Sequence, residues 1–193
     1  MLMPVIVDSK SYNLNFSFKS YPSSSRRFDI IARTVLELVW LKESSIGDFL
    51  DNMVYIVFGE KMHYNVFKIN IECVPKIYAR NEYALLLHLI KHGGLIKASL
   101  DEVFQHIRNS TVIHLTENGM KINKATVFYE AFRRAIVFLG GHYDVPEDFL
   151  KRTSDLASNV LSVSIGSRSY LASHTIVFLT YFLYLRFRDL IIK

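Results

Sequence analysis

The chain has 193 residues, with 23 lysines and arginines against 18 aspartates and glutamates, for a formal charge of +5. Half of it is apolar and 21% is charged, which excludes intrinsic disorder, and its length is that of one domain. Cys73 is the single cysteine, so an internal disulfide and a cysteine-built zinc site are both excluded.

The first residues carry neither a charged leader nor an apolar run long enough for a signal peptide, and a cytoplasmic chain is expected. Residues 4–7 and 13–18 read as short strands. Tyr21-Pro22 and the three serines after it form a short linker, and Ser25 is a candidate N-cap. Apolar residues recurring at Phe28, Ile31, Val35 and Leu38 predict a helix over 26–42. The apolar run 53–58, ended by Gly59, reads as a buried strand, and the alternating stretch 65–71 as its neighbour. Helices are predicted over 80–91, stopped by Gly93-Gly94, and over 100–108.

The second half repeats strand, turn and helix. A β-rich run over 111–115 meets turn chemistry at Glu117-Asn118-Gly119, and 124–132 is mixed. A run over 135–139 is broken by Gly140-Gly141, and Pro146 opens a helix to about 158. A third run over 159–165 is broken by Gly166, and a long apolar helix is predicted from 170. Arg186, Arg188 and Asp189 interrupt that helix before it reaches the length of a membrane span, so no membrane is expected. Apolar runs alternating with helices predict an α/β fold: a mainly parallel sheet with helices on both faces. Ligands of such sheets sit beyond the carboxyl ends of the strands, here the three turns just named. No G-x-G-x-x-G, P-loop, G-x-S-x-G or H-E-x-x-H motif occurs, and no His/Asp/Glu set has metal spacing, so no metal is expected.

Residues 163–174 (VSIGSRSYLASH) are the most informative. With 138–146 (FLGGHYDVP), 112–119 (VIHLTENG) and 26–33 (RRFDIIAR), they resemble the archaeal tRNA pseudouridine-54 N1-methyltransferases, members of the SPOUT class of α/β-knot methyltransferases. The segments lie in the family's order and cover most of the chain from Ser23 to Thr175. The resemblance implies one SPOUT domain over 1–193, with a Rossmann-like half (1–110) and a half knotted into a trefoil (111–193). It implies S-adenosylmethionine as cofactor, tRNA as partner, and a homodimer formed through the C-terminal helix. Leu115, Leu139, Gly140, Thr175 and the run Ser164, Ile165, Gly166, Ser167, Arg168 and Ser169 fall on cofactor-contacting positions. Asp29 is the candidate catalytic residue, accepting the N1 proton or orienting the ring. Its structural alternative is a helix-dipole acid paired with Arg33. Arg26, Arg27, Arg33 and Arg168 are candidate RNA contacts, Tyr143 and Tyr170 candidate stacking residues, and His142 and His174 candidate hydrogen-bonding groups. Arg133-Arg134 and Lys151-Arg152 add positive charge expected at the same end of the sheet. The chain departs from the family at Gly141, where an aspartate is usual, and at Gly166-Ser167, where Gly-Pro is usual. Two alternatives stand beside this reading: a pseudouridine N1-methyltransferase of small-subunit ribosomal RNA, and an RNA-binding knot protein without catalysis.

Overall fold

The structure is a computed structural model that describes residues 1–10, 12, 14, 28–61, 63–125, 135–166 and 172–191. In chain order it has strand β1 (Leu2–Asp8), helix α1 (Phe28–Lys42), β2 (Met53–Glu60), β3 (His63–Asn70), α2 (Glu82–Lys91), β4 (Ile96–Ala98), α3 (Leu100–Ile107) and β5 (Thr111–Lys121). There follow a short helical turn α4 (Ile122–Ala125), β6 (Ala135–Gly140), α5 (Glu147–Leu156), β7 (Asn159–Ser164) and α6 (Ala172–Ile191).

The strands form one seven-stranded sheet in the order β4-β3-β2-β1-β6-β5-β7. Every pairing from β2 to β7 is parallel, and β3 and β4 are antiparallel additions at one edge. Because β1 pairs with β6, strands from 1–110 and from 111–193 share one sheet. The central strands are apolar on both faces because both faces are covered. On one face Ile6, Ile56 and Val137 pack with Ile31, Leu38, Leu86 and Leu179, from α1, α2 and α6. On the other, Val5, Val57 and Phe138 pack with Phe104 and Phe149, from α3 and α5. Alternate residues of one strand thus enter opposite cores, as a period of two requires.

Local chemistry starts the helices where the pattern predicted them. The Asn81 side chain accepts from the Ala84 N–H at 2.9 Å, and the Ser99 hydroxyl accepts from the Glu102 N–H at 3.1 Å. Two elements differ from the sequence reading. The edge strand β4 was missed because it is only three residues long, with Ile96 48% exposed. The turn expected at 117–119 lies within β5, which continues beyond it. Leu115 and Met120 both pair with Val163, so residues 116–119 bulge out over the end of β7 before pairing resumes. Gly119 permits this: a Cβ there would lie 2.6 Å from the Val163 nitrogen and 2.7 Å from the Ser162 carbonyl carbon. The strand expected over 13–18, apart from Leu14, lies outside the described residues, as do most of the mixed stretch 124–132 and residues 26, 27, 170 and 171. Within the half expected to be knotted, 111–193, residues 126–134, 167–171 and 192–193 also lie outside them.

Candidate active site

The first run of β5, up to its bulge, ends level with the carboxyl ends of β6 and β7. His114 pairs with Phe138 on one side and with Ser162 on the other. The chain leaves each strand there, and the three exits enclose a cavity of about 260 Å³. Leu115, Thr116 and Glu117 line it from the first exit, residues 140–144 from the second, and Ser164, Ile165 and Gly166 from the third. Leu139, Val163, Ala172, Thr175 and Ile30 close its floor and sides.

Of the residues expected to hold a cofactor, Leu115, Leu139, Gly140, Ser164, Ile165, Gly166 and Thr175 therefore line one cavity. Ser167, Arg168 and Ser169 lie outside the described residues. The walls combine the flat apolar surfaces of Leu115, Leu139, Val163 and Ile165 with backbone at Gly140 and Gly166. The third exit is held by the Ser164 hydroxyl, which donates to the Gly166 carbonyl at 2.6 Å. Glu117 and Asp144 are on the lining, two acidic residues whose charge suits a cationic ligand.

The second exit is braced from β1. Gly141 N–H donates to the Val7 carbonyl at 3.1 Å. Beside it the fully buried Asp8 carboxylate accepts from the His142 N–H at 2.6 Å, the Tyr143 N–H at 3.2 Å and the Tyr12 hydroxyl. A Cβ at position 141 would run into Asp8 Oδ2 and lie 2.9 Å from the Tyr12 oxygen. Where the resembled family usually has an aspartate, this chain has no room for a side chain, and a carboxylate reaches the spot from β1. The Tyr12 ring packs edge-on against Phe28 and Phe58, at 5.4 and 5.3 Å. Burial, and then the neighbouring Asp8 charge, push its phenol far above the ordinary value, so Tyr12 stays a proton donor.

Asp29 is buried in the first turn of α1. It lies close enough to Tyr12 for its charge to be felt there, and its neighbour Ile30 lines the cavity. Arg33 is engaged by the second helix, its Nε lying 2.6 Å from Glu82 Oε1. Arg26, Arg27 and Arg133-Arg134 lie outside the described residues. Tyr143 lines the cavity, 38% exposed, with Lys10 Nζ 4.0 Å from the centre of its ring. His142 lines it too, whereas His174 is exposed and does not. Arg152 lies over the Phe104 ring at 4.3 Å and 3.9 Å from Asp101, so it serves the packing of α3 on α5 rather than the cavity. Sequence reasoning missed Asp8, Tyr12 and Ile30. They precede the second half: the pairing of β1 with β6 carries Asp8 to its loops, Tyr12 reaches them by its bond to Asp8, and Ile30 arrives on α1.

No protein-family model matches the chain, and no curated protein matches it. Among solved structures, that of Archaeoglobus fulgidus Nep1 bound to S-adenosylhomocysteine is similar over 97% of this chain and 98% of that one, with a TM-score of 0.59 and 16% identity. At that identity the likeness is one of fold, and it extends over the whole of the mainly parallel α/β architecture expected from the sequence. Among the described residues no cluster of side chains can hold a metal ion, and no helix is long and apolar enough to cross a membrane.

Proposed function

We propose that this chain is an S-adenosylmethionine-dependent RNA methyltransferase of the SPOUT class, acting on N1 of pseudouridine in tRNA, at position 54 by resemblance. One observation carries the reading: the residues that the resemblance assigns to the cofactor, wherever they are described, line one cavity at the carboxyl ends of β5, β6 and β7. The structural neighbour adds support. S-adenosylhomocysteine, bound in that protein, is what S-adenosylmethionine becomes when its methyl group leaves.

The cavity fits the cofactor chemically. Leu115, Leu139 and Ile165 offer apolar walls to an adenine, and the glycine backbones offer hydrogen-bonding edges. Glu117 and Asp144 favour a positive charge. The bound cofactor supplies a methyl group already activated by its sulfonium charge, so the protein's task is chiefly to align the partners. With the cofactor bound, its methyl group would pass to N1 as the carbon–sulfur bond broke, and the N1 proton would have to leave. Asp29 is proposed to take that proton or to hold the ring by a hydrogen bond. Tyr143, half-exposed on the lining, is proposed to stack on a base drawn out of its fold. Arg26, Arg27, Arg33 and Arg168 are proposed phosphate contacts, Arg33 with its Nε held by Glu82.

The proposal includes a homodimer through α6. Ile176, Leu179 and Leu183 bury one stripe of that helix, while Phe178, Tyr181 and Leu185 stand 47, 51 and 52% exposed on another.

The test is transfer of labelled methyl from S-adenosylmethionine to purified tRNA and to small-subunit ribosomal RNA. Label recovered as N1-methylpseudouridine in tRNA is the expected result. Label in ribosomal RNA alone would move the substrate to that molecule, and RNA binding without label would leave a non-catalytic binder.

A further inference from the structure

Asp8 is the one fully buried carboxylate among the described residues, and it stands at the end of a strand whose other residues are apolar. A buried carboxylate is costly unless donors surround it. Here they do. Oδ1 accepts from the Lys10 N–H at 3.0 Å, and Oδ2 from Tyr12, His142 and Tyr143. Two of these donors are successive backbone amides of the 140–144 segment, which walls the cavity. Those amides have no strand partner, since β6 ends at Gly140. The carboxylate also lies where a side chain on residue 141 would have to go. The missing Cβ at 141 and the charge at 8 are therefore two halves of one arrangement.

We propose that Asp8 is a positioning residue for the candidate site: with Gly141 it forms a matched pair that clamps the 140–144 segment into its ligand-holding shape. The ligand part of this rests on the cofactor reading given above; the clamp itself does not. Tyr12, kept protonated, fixes the carboxylate's rotation so that Oδ2 faces the two amides. Without the clamp, His142 and Tyr143 would carry unpaired amides, and the wall would open toward solvent.

Hydrogen exchange and calorimetry test the pair. In Asp8→Ala, exchange at the His142 and Tyr143 amides should quicken by about tenfold or more while the central strands keep their protection. Affinity for S-adenosylmethionine should fall about tenfold in the same folded protein. Asp8→Asn, which keeps one acceptor oxygen, should recover part of both, and it replaces Asp8→Ala in the comparison should that variant not fold. Gly141→Ala should weaken binding in the wild-type background but cost less than about threefold more once Asp8 is alanine, because the obstruction is gone. Unchanged protection at the two amides, or losses that multiply independently, would overturn the proposal. The exchange measurement needs no ligand. A wild-type protein that binds no S-adenosylmethionine would thus sink the cofactor reading and leave the clamp to be judged on exchange alone.

Discussion

Asp29 carries the sharpest chemical claim at the scale of single residues. Asp29→Asn keeps the size and most hydrogen bonds of the side chain but removes its charge. General-base help is worth ~10²–10⁴-fold, so the single-turnover methyl-transfer rate should drop about 100-fold or more with cofactor affinity little changed. If Asp29 serves only the helix dipole, the rate should hold and stability should fall by ~0.3–1 kcal/mol. His114 gives a pH dependence. Burial in β5 holds its imidazole below the ordinary histidine value, against the upward pull of Asp144, so the folded chain keeps it neutral. The unfolded chain takes up that proton at about pH 6.5. The stability this group contributes is therefore complete above about 6.5, and it is lost as pH falls from there through the lower folded value. His88, depressed by burial and by His92, works in the same direction. Denaturant midpoints measured from pH 7.5 to 5 should show a shallower acid slope in His114→Gln than in the wild type; an identical slope would remove His114 from the balance.

Strand ends and the bulge in β5 decide the site at the scale of elements. The first wall exists because 116–119 leave the ladder and β5 then rejoins β7. Gly119→Val would push a branched side chain onto the β7 backbone, so a loss of about 1–3 kcal/mol in stability is expected, with weaker binding at the first wall. Thermal melting and calorimetry on one preparation check both, and a variant with wild-type values would show that the bulge shifts freely. The sequence made much of this legible. Runs ending in Gly140-Gly141 and at Gly166 marked β6 and β7 within a residue: β6 as the short continuous apolar run of a buried parallel strand, β7 as the alternating run of an edge strand. Glu-Asn-Gly is turn chemistry whether or not the strand resumes, so the sequence alone does not distinguish this bulge from a plain turn. The brace from Asp8 was invisible because it joins residues separated by 134 positions through a strand pairing.

Assembly and cofactor belong to the whole molecule. The exposed stripe Phe178, Tyr181 and Leu185 on α6 predicts that light scattering at micromolar concentration gives about twice the 22.4 kDa chain mass. A clean monomer would return that stripe to solvent. Mainly parallel order and coverage on both faces followed from composition and periodicity. Which strands lie at the centre did not, because β1 is first in sequence and yet central in the sheet. The central claim, that the cavity between the three strand exits binds S-adenosylmethionine, is tested most directly by calorimetric titration of the wild type and Gly166→Val side by side. The wild type should bind one S-adenosylmethionine per chain. Gly166→Val, which sets a branched side chain on the cavity lining, should keep its fold and lose roughly tenfold in affinity, about 1.4 kcal/mol. No binding by the wild type, or equal affinity in a folded Gly166→Val protein, would contradict it.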